Sequence, residues 1–447
     1  MEIISIYNKF RECGRVTTDT RTLSDGDMFF ALRGENHDGN EYALQALENG
    51  AKYAVVSADS AAALSGDPRI IPVNDTLNTL QELARWHRSM TFVDGKPLPV
   101  IALTGTNGKT TTKELIREVL SVKYNVTATK GNLNNSIGVP LTLLGVTNST
   151  QIAVVEMGAS HPGDIKELVD IALPNYGLIT NVGKAHLLGF GSFEGVMNTK
   201  GELYDYLRRT SDKVFLNVDN PYLCKMASER NLQSDPERPY SLVIPYGVGY
   251  SGADVLPSSC EYPFLRIKID STEVKTNLVG AYNADNVMAA LAVGMYFGVS
   301  FDECVSAISS YVPSNNRSQM QKTSANTLIV DAYNANPTSM EAALNNFASV
   351  QADRKVALLG DMLELGIDSV DEHLKIVKML QSSDINLVCL VGNEFRKSLD
   401  QIGDSDMKWF ETSVQLAEWI KNNPISESSV LIKGSRGTRM EKTIEVL

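Results

Sequence analysis

Apolar residues along this chain gather in short runs, and longer amphipathic stretches separate them. In the middle third, VIALTG, IAVVEMG, YGLITNVG and KVFLNVD have the composition of buried strands. KTTTKELIREVLSVK and GDIKELVDIA carry helical periodicity between them. Short apolar strands alternating with helices predict a parallel sheet covered on both faces. Upstream, DGDMFFALRG and AKYAVVSA read as strands flanking a helix, EYALQALENG, that Gly50 closes. A second helix, TLNTLQELARWHRSM, precedes VDGKPLP, a Gly/Pro linker. FLRIKIDSTEVKTNLVG has the look of a small antiparallel hairpin ahead of the helix YNADNVMAALAVGMYFG. Past YVPSNNRSQ, the runs TLIVDAY, KVALLGD, INLVCLVG and SSVLIKGS predict four strands of a further open α/β unit. The expectation is an α/β chain of three domains, 1–96, 97–313 and 314–447, without internal repeats. A length of 447 residues agrees, at about 150 residues per domain.

Composition narrows the function. Hydrophobic residues make up 43% and charged ones 21%, ordinary for a folded soluble protein. Lys and Arg number 41 against 53 Asp and Glu, a net charge of −12 that argues against a general nucleic-acid binder. An anionic small ligand remains compatible, because a glycine loop and a few lysines hold phosphates locally. The N-terminal stretch lacks signal-peptide features, and no apolar run approaches the roughly 20 residues needed to cross a bilayer. Cys13, Cys224, Cys260, Cys304 and Cys389 are dispersed, as expected of reduced thiols in a cytoplasmic protein.

Candidate chemistry starts at LTGTNGKTTTKE, residues 103–114, which leaves an apolar strand and opens a helix. Gly105 and Gly108 let the backbone turn so that N–H groups aim at phosphate oxygens near the helix N-terminus. Lys109 would neutralise β- and γ-phosphates, and the Thr110 hydroxyl could sit on Mg2+. The common loop G-x-x-x-x-G-K-[ST] would put a glycine where Leu103 stands, so a structural turn stays open on the residues alone. Glu156 ends an apolar strand, where α/β sheets build sites, and needs a counter-charge from Mg2+ or a basic side chain. His186 and Lys200 follow in ITNVGKAHLLGFGSFEGVMNTKGEL, with a structural histidine and a surface lysine as the plain alternatives. Asn134 and Asn135 lie in a turn-like Asn/Gly stretch. Asn283 and Asn286 lie one turn apart near a helix start, where Asn often caps.

Together these segments resemble the ATP-dependent Mur ligase family, with folylpolyglutamate synthetase as a cousin. The family's loop, G-T-N-G-K-T/S, lacks the early glycine and matches Gly105, Thr106, Asn107, Gly108, Lys109 and Thr110, with Thr111 following. TKGNLNNSIGVPLTLL is similar to a second family signature, which implies that Asn134 and Asn135 bind substrate. The resemblance implies a small N-terminal UDP-binding domain, a central P-loop ATPase domain and a C-terminal Rossmann-like acceptor domain. It implies ATP and two Mg2+ ions, with Thr110, Glu156, His186 and a carbamylated Lys200 at the metals. Carbamylation inverts the sign of the lysine's charge. Asn283 and Asn286 would reach the adenine and ribose, Arg317 a phosphate, and Asp331 the ribose, clamping ATP between the second and third domains.

The ends of the chain bear on the substrate. VTTDTRTLSDGDMFFALRGENHDGNEYA is similar to an N-terminal signature that binds the UDP end, with Asp19, Thr20 and Arg21 leading it. DAYNANPTSMEAAL and LGDMLELG resemble the branch that accepts D-Ala-D-Ala, through Asn334, Asn336 and the Asp361–Glu364 segment. The D-N-P-R motif usual in the branch that adds a diamino acid does not occur. The implied reaction is ATP-driven joining of D-Ala-D-Ala to UDP-MurNAc-tripeptide through an acyl phosphate, in cell-wall synthesis, by a monomer. Another ligase of the family is the alternative. A nucleotide-dependent binding module is the rival from a different class, although the N-K-x-D motif of a GTPase is missing.

Overall fold

The apolar runs form strands and the amphipathic stretches pack over them as helices, in three α/β units each with its own sheet. The computed structural model describes residues 2–34, 37–232, 242–258, 262–314, 317–403 and 406–447. Cys260 lies outside them. Cys13, Cys224, Cys304 and Cys389 are free thiols, and no described helix is long and apolar enough to cross a membrane.

In the first unit Val16–Thr17 (β1), Met28–Phe30 (β2), Tyr53–Ser57 (β3) and Ile70–Val73 (β4) pair in parallel in that order. DGDMFFALRG does not run as one strand, because the chain breaks after Phe30 and pairs again only at Arg33–Gly34. Thr76–Ser89 (α1) closes the unit, with the Asp75 side chain capping it on Asn78 N at 2.9 Å.

The central sheet runs β6-β7-β5-β8-β9-β10 and is wholly parallel. Its strands are Val100–Thr104 (β5), Val126–Ala128 (β6), Ile152–Glu156 (β7), Tyr176–Ile179 (β8), Lys213–Asn217 (β9) and Val243–Tyr246 (β10). Register decides where the chemistry falls. Glu156 pairs with Leu103 and Ile179 with Thr104, so β5, β7 and β8 end at one level. Three helices matter to the site: Lys109–Ser121 (α2), Phe193–Thr210 (α3) and Ala284–Tyr296 (α4). The expected hairpin forms at Arg266–Ile269 and Thr272–Lys275, and Asp254–Leu256 adds a third strand.

The third unit has six strands among the described residues, not four. Gln319–Lys322 (β11), Asn326–Asp331 (β12), Lys355–Gly360 (β13), Leu387–Val391 (β14), Lys408–Phe410 (β15) and Ser428–Lys433 (β16) run in the order β11-β12-β16-β13-β14-β15. The two additional strands are edges, one the polar QMQK and the other only three residues long, so neither carries an apolar run. Pairing of β12 with β16 sets Asp331 beside Lys433. Pro337–Ser349 (α5) follows β12.

The VDGKPLP segment is not a plain linker. Phe92–Val93 and Lys96–Pro97 pair as a tight hairpin, with Asp94 and Gly95 at φ 50° and 74°. An Asp-Gly pair supplies the two left-handed positions such a turn needs. The first and central units also share one apolar core, in which Ile6, Phe10, Leu80 and Leu83 pack with Val139, Leu143 and Leu168. Arg88 secures that seam. Its guanidinium donates to the carbonyls of Ala172 and Leu173 at 3.2 and 3.1 Å and to Asn175 Oδ1 at 2.8 Å, closing the C-terminus of helix Asp164–Ala172. Burial lowers Arg88 to about 10. Arg88→Ala strands these acceptors, so thermal or urea unfolding should show a loss of about 3 kcal/mol. A stability within about 0.5 kcal/mol of the parent would mean the contacts are incidental.

Candidate functional site

The loop after β5 is shaped by close approach. Gly105 has φ 149°, and a Cβ there would lie 1.9 Å from Thr180 Oγ1. Gly108 has φ 79°, and a Cβ would meet Asn286 Oδ1 at 2.5 Å. The turn after β8 holds the loop from the side. Thr106 N donates to Asn181 O, and Asn107 N to Asn181 Oδ1, both at 2.9 Å. Asn107 O accepts from Thr180 Oγ1 at 2.6 Å and Asn181 Nδ2 at 3.0 Å. Lys109 Nζ curls back onto the carbonyls of Gly105 and Thr106 at 2.8 and 3.1 Å. Desolvation lowers Lys109 to about 8, with Glu156 opposing the shift and Arg317 adding to it. We expect Gly105→Ala to weaken binding of a non-hydrolysable ATP analogue about tenfold or more, measured by calorimetry. Unchanged affinity would remove the loop from the nucleotide site.

Glu156 is buried at the end of β7. Its carboxylate accepts from Thr110 Oγ1 at 2.9 and 3.1 Å and from Asn134 Nδ2 at 2.9 Å. A hydroxyl and a carboxylate form an oxygen donor set of the kind Mg2+ takes, with water and phosphates completing its shell. Among the described residues no three His, Cys, Asp or Glu side chains gather as a metal-binding group.

A cleft of about 1030 Å³ opens in front of the loop and is walled by the central and third units. Thr106, Asn107, Gly108, Lys109, Thr111, Asn134, Asn135, Glu156 and His186 line it from the central unit, together with Asn283 and Asn286. Arg317, Asp331, Asn334 and Asn336 line it from the other side. Gly105 does not line the cleft, and Thr110 faces Glu156 and an adjoining pocket.

Several of these side chains are already committed. Asn286 accepts from Thr112 Oγ1 at 2.9 Å and donates to Asn283 Oδ1 at 2.8 Å, while Asn283 Nδ2 bonds Val279 O at 2.8 Å, so the pair ties α4 to α2. Asn135 Oδ1 accepts from Gly138 N at 2.9 Å, at the start of the helix Gly138–Leu144. Asn334 Oδ1 accepts from Ala335 N at 2.9 Å. Asp331 forms an ion pair with the buried Lys433. Arg317 lies 3.7 Å over the ring of Tyr333, and its buried Nε has no hydrogen-bond partner among the described residues. A buried guanidinium N–H without a partner fits a site that receives an anion.

His186 sits at φ 51° after β8, and its Nδ1 pairs with Glu364 of the third unit. Burial lowers its pKa, the charges of Lys109 and Lys200 add to that, and Glu364 opposes it. Lys200, in α3, is 2% exposed and lies 5.6 Å over the Phe190 ring. Desolvation, then Lys109, holds it well below the usual lysine range.

Asp19, Thr20 and Arg21 lie on the first unit and do not line this cleft. Asp19 caps a short turn and forks with Arg21, whose hydrogen bonds lower Asp19 to about 2. Asp361 is buried and caps the helix Asn393–Ile402 on Glu394 N and Phe395 N at 3.0 and 2.9 Å, so within the Asp361–Glu364 segment Leu363 and Glu364 are the ones that reach the cleft. Sequence reading passed over Asn181, Tyr333, Lys433 and Arg436. Lys433 left a signal, a lysine closing the apolar run VLIK.

Comparison with known proteins covers most of the chain. Residues 13–88 match the Mur ligase family catalytic domain, 103–294 the Mur ligase middle domain, and 316–436 the Mur ligase glutamate ligase domain. The UDP-N-acetylmuramoyl-tripeptide--D-alanyl-D-alanine ligase of Bacillus subtilis is 33% identical over 97% of this chain and 92% of its own. MurF from Acinetobacter baumannii superposes with a TM-score of 0.82 at 29% identity, covering 96% of this chain and 92% of that one. The Thermotoga maritima MurF ligase, solved with ADP, gives a TM-score of 0.82 at 26% identity over 98% and 97%.

Proposed function

This chain belongs to the Mur ligase family, and from that membership we propose that it joins D-alanyl-D-alanine to UDP-N-acetylmuramoyl-tripeptide at the expense of ATP. The observation that carries the reading is the two-sided cleft. A phosphate loop with Lys109 lies on one wall, and a second α/β unit presents Arg317 and Glu364 from the other.

The reaction follows from what each wall offers. A carboxylate oxygen of the tripeptide attacks the γ-phosphorus, and the bond to ADP breaks. The dipeptide nitrogen then attacks the acyl carbon, and phosphate leaves. Carboxylate and γ-phosphate repel each other, so cationic groups must screen both. Lys109 supplies that charge at the loop, and Arg317 supplies it across the cleft. The first-turn amides of α2, which lack intrahelical acceptors, add donors for the β- and γ-phosphates. Thr110 and Glu156 would hold one Mg2+, and His186 with a carbamylated Lys200 a second. The metals would supply charge neutralisation between the reacting anions. Asn134 holds the Glu156 carboxylate in place at 2.9 Å. The third unit encloses the acyl phosphate and keeps water from it. Asp19, Thr20 and Arg21, outside the cleft, are assigned to the UDP end of the long substrate. We assign the three domains to residues 1–96, 97–313 and 314–447. A cleft completed within one chain supports a monomer, and free thiols support the cytoplasm.

Phosphate release from ATP and Mg2+ with UDP-MurNAc-tripeptide, measured with and without D-Ala-D-Ala, tests this. Dipeptide-dependent release with a UDP-linked pentapeptide by mass is the expected result. Turnover of a UDP-linked dipeptide with a diamino acid instead would keep the family and overturn the substrate.

A further inference from the structure

Asn336 is fixed from two directions. It is the N-cap of α5, where its Oδ1 accepts from Ser339 N at 2.9 Å and Ser339 Oγ accepts from Asn336 N at 3.0 Å. Its remaining amide, Nδ2, donates to Asn107 Oδ1 at 2.7 Å, and Asn107 Nδ2 approaches Asn336 Oδ1 at 3.4 Å. Asn107 is the tip of the phosphate loop, and the turn after β8 clamps its backbone. Two carboxamides that cannot move far on their own units therefore meet face to face between the loop and α5. The same seam is tight elsewhere, since a Cβ on Gly183 would lie 2.8 Å from Thr338 Oγ1.

We propose that the Asn107–Asn336 amide pair is a positioning device that couples nucleotide binding at the loop to acceptor binding on the third unit. This rests on the ligase reading above, and it gives Asn336 a different part from direct contact with the dipeptide. A loop ordered around phosphates presents the Asn107 carboxamide in one orientation. That orientation completes the docking of α5, whose N-terminal residues Thr338 and Ser339 line the cleft. Nucleotide thereby favours the closed arrangement in which the acceptor is held. Linkage makes the effect reciprocal, so dipeptide raises nucleotide affinity by the same factor.

Asn336→Ser separates the pair from the cap. Serine caps a helix about as well as asparagine, so α5 keeps its N-terminus, but the side chain is too short to reach Asn107. The readout is the ratio of D-Ala-D-Ala dissociation constants with and without a non-hydrolysable ATP analogue and UDP-MurNAc-tripeptide. We expect Asn336→Ser to reduce that ratio about tenfold, as loss of two amide hydrogen bonds implies. Asn107→Ala should reduce it by a similar factor, and the double variant should fall no further. A ratio unchanged in Asn336→Ser, or additive losses in the double variant, would overturn the coupling. Neither result would touch the ligase reading, which falls only if the wild-type chain fails to join the dipeptide.

Discussion

Lys109→Met abolishes ligation, with kcat down about a thousandfold, and leaves the fold intact. Its ammonium contacts the loop carbonyls of Gly105 and Thr106 and sits where phosphate charge is to be met. The pH behaviour follows from the same environment. Desolvation lowers Lys109 to about 8. In the free protein it loses its charge as pH rises through that value, so kcat/KM for ATP should decline above about pH 8. Lys109→Arg should lose that decline, because a guanidinium stays protonated. The stability sign is opposite. An unfolded lysine titrates near 10.4, so between about 8 and 10.4 the unfolded chain binds more protons and stability rises with pH. Below pH 8 the charged lysine is a steady cost, and Lys109→Met should melt no lower than the parent at pH 7. Full ligation by this variant would remove the loop from the chemistry.

Lys200→Met should lower kcat about a hundredfold or more while keeping or raising Tm. A lysine 2% exposed, beside the Phe190 ring and held well below its usual pKa by desolvation, gives up its proton more readily than an exposed lysine. An uncharged amine adds to dissolved CO2. The N–C bond forms, a proton leaves, and a carbamate anion remains. Wild-type activity should therefore fall when CO2 is stripped from the buffer during expression-free refolding and return with bicarbonate. The Lys200→Met variant should not respond. Indifference of the wild type to CO2, together with an active Lys200→Met, would make this lysine a packing residue.

The chemistry-bearing strands of the central unit were legible because each is a local apolar run, and the loop was legible because it follows one of them. Edges were not. Gln319–Lys322 has a single apolar residue, Met320, and it pairs on one side only, with β12. The Gly/Pro segment at residues 93–99 was read as a linker because the sequence marks a turn but not the two short strands that flank it. The pairing that builds the site was also hidden. Asp331 and Lys433 meet from 102 positions apart, and Asn107 and Asn336 from 229. No local periodicity encodes such meetings, which depend on strand order and on how two units face each other. Asn336 illustrates the limit. Its position in a motif marked it as a site residue, yet its role depends on where its second amide points.

In this reaction ATP activates the tripeptide's terminal carboxylate and D-Ala-D-Ala displaces the phosphate. UDP-MurNAc-tripeptide labelled with heavy oxygen in that carboxylate tests it most directly, with mass spectrometry of the released phosphate. One labelled oxygen should appear in phosphate for each UDP-linked pentapeptide formed, and no pentapeptide should form without the dipeptide. Unlabelled phosphate alongside pentapeptide would contradict the acyl phosphate, and labelled turnover that ignores the dipeptide would contradict the acceptor.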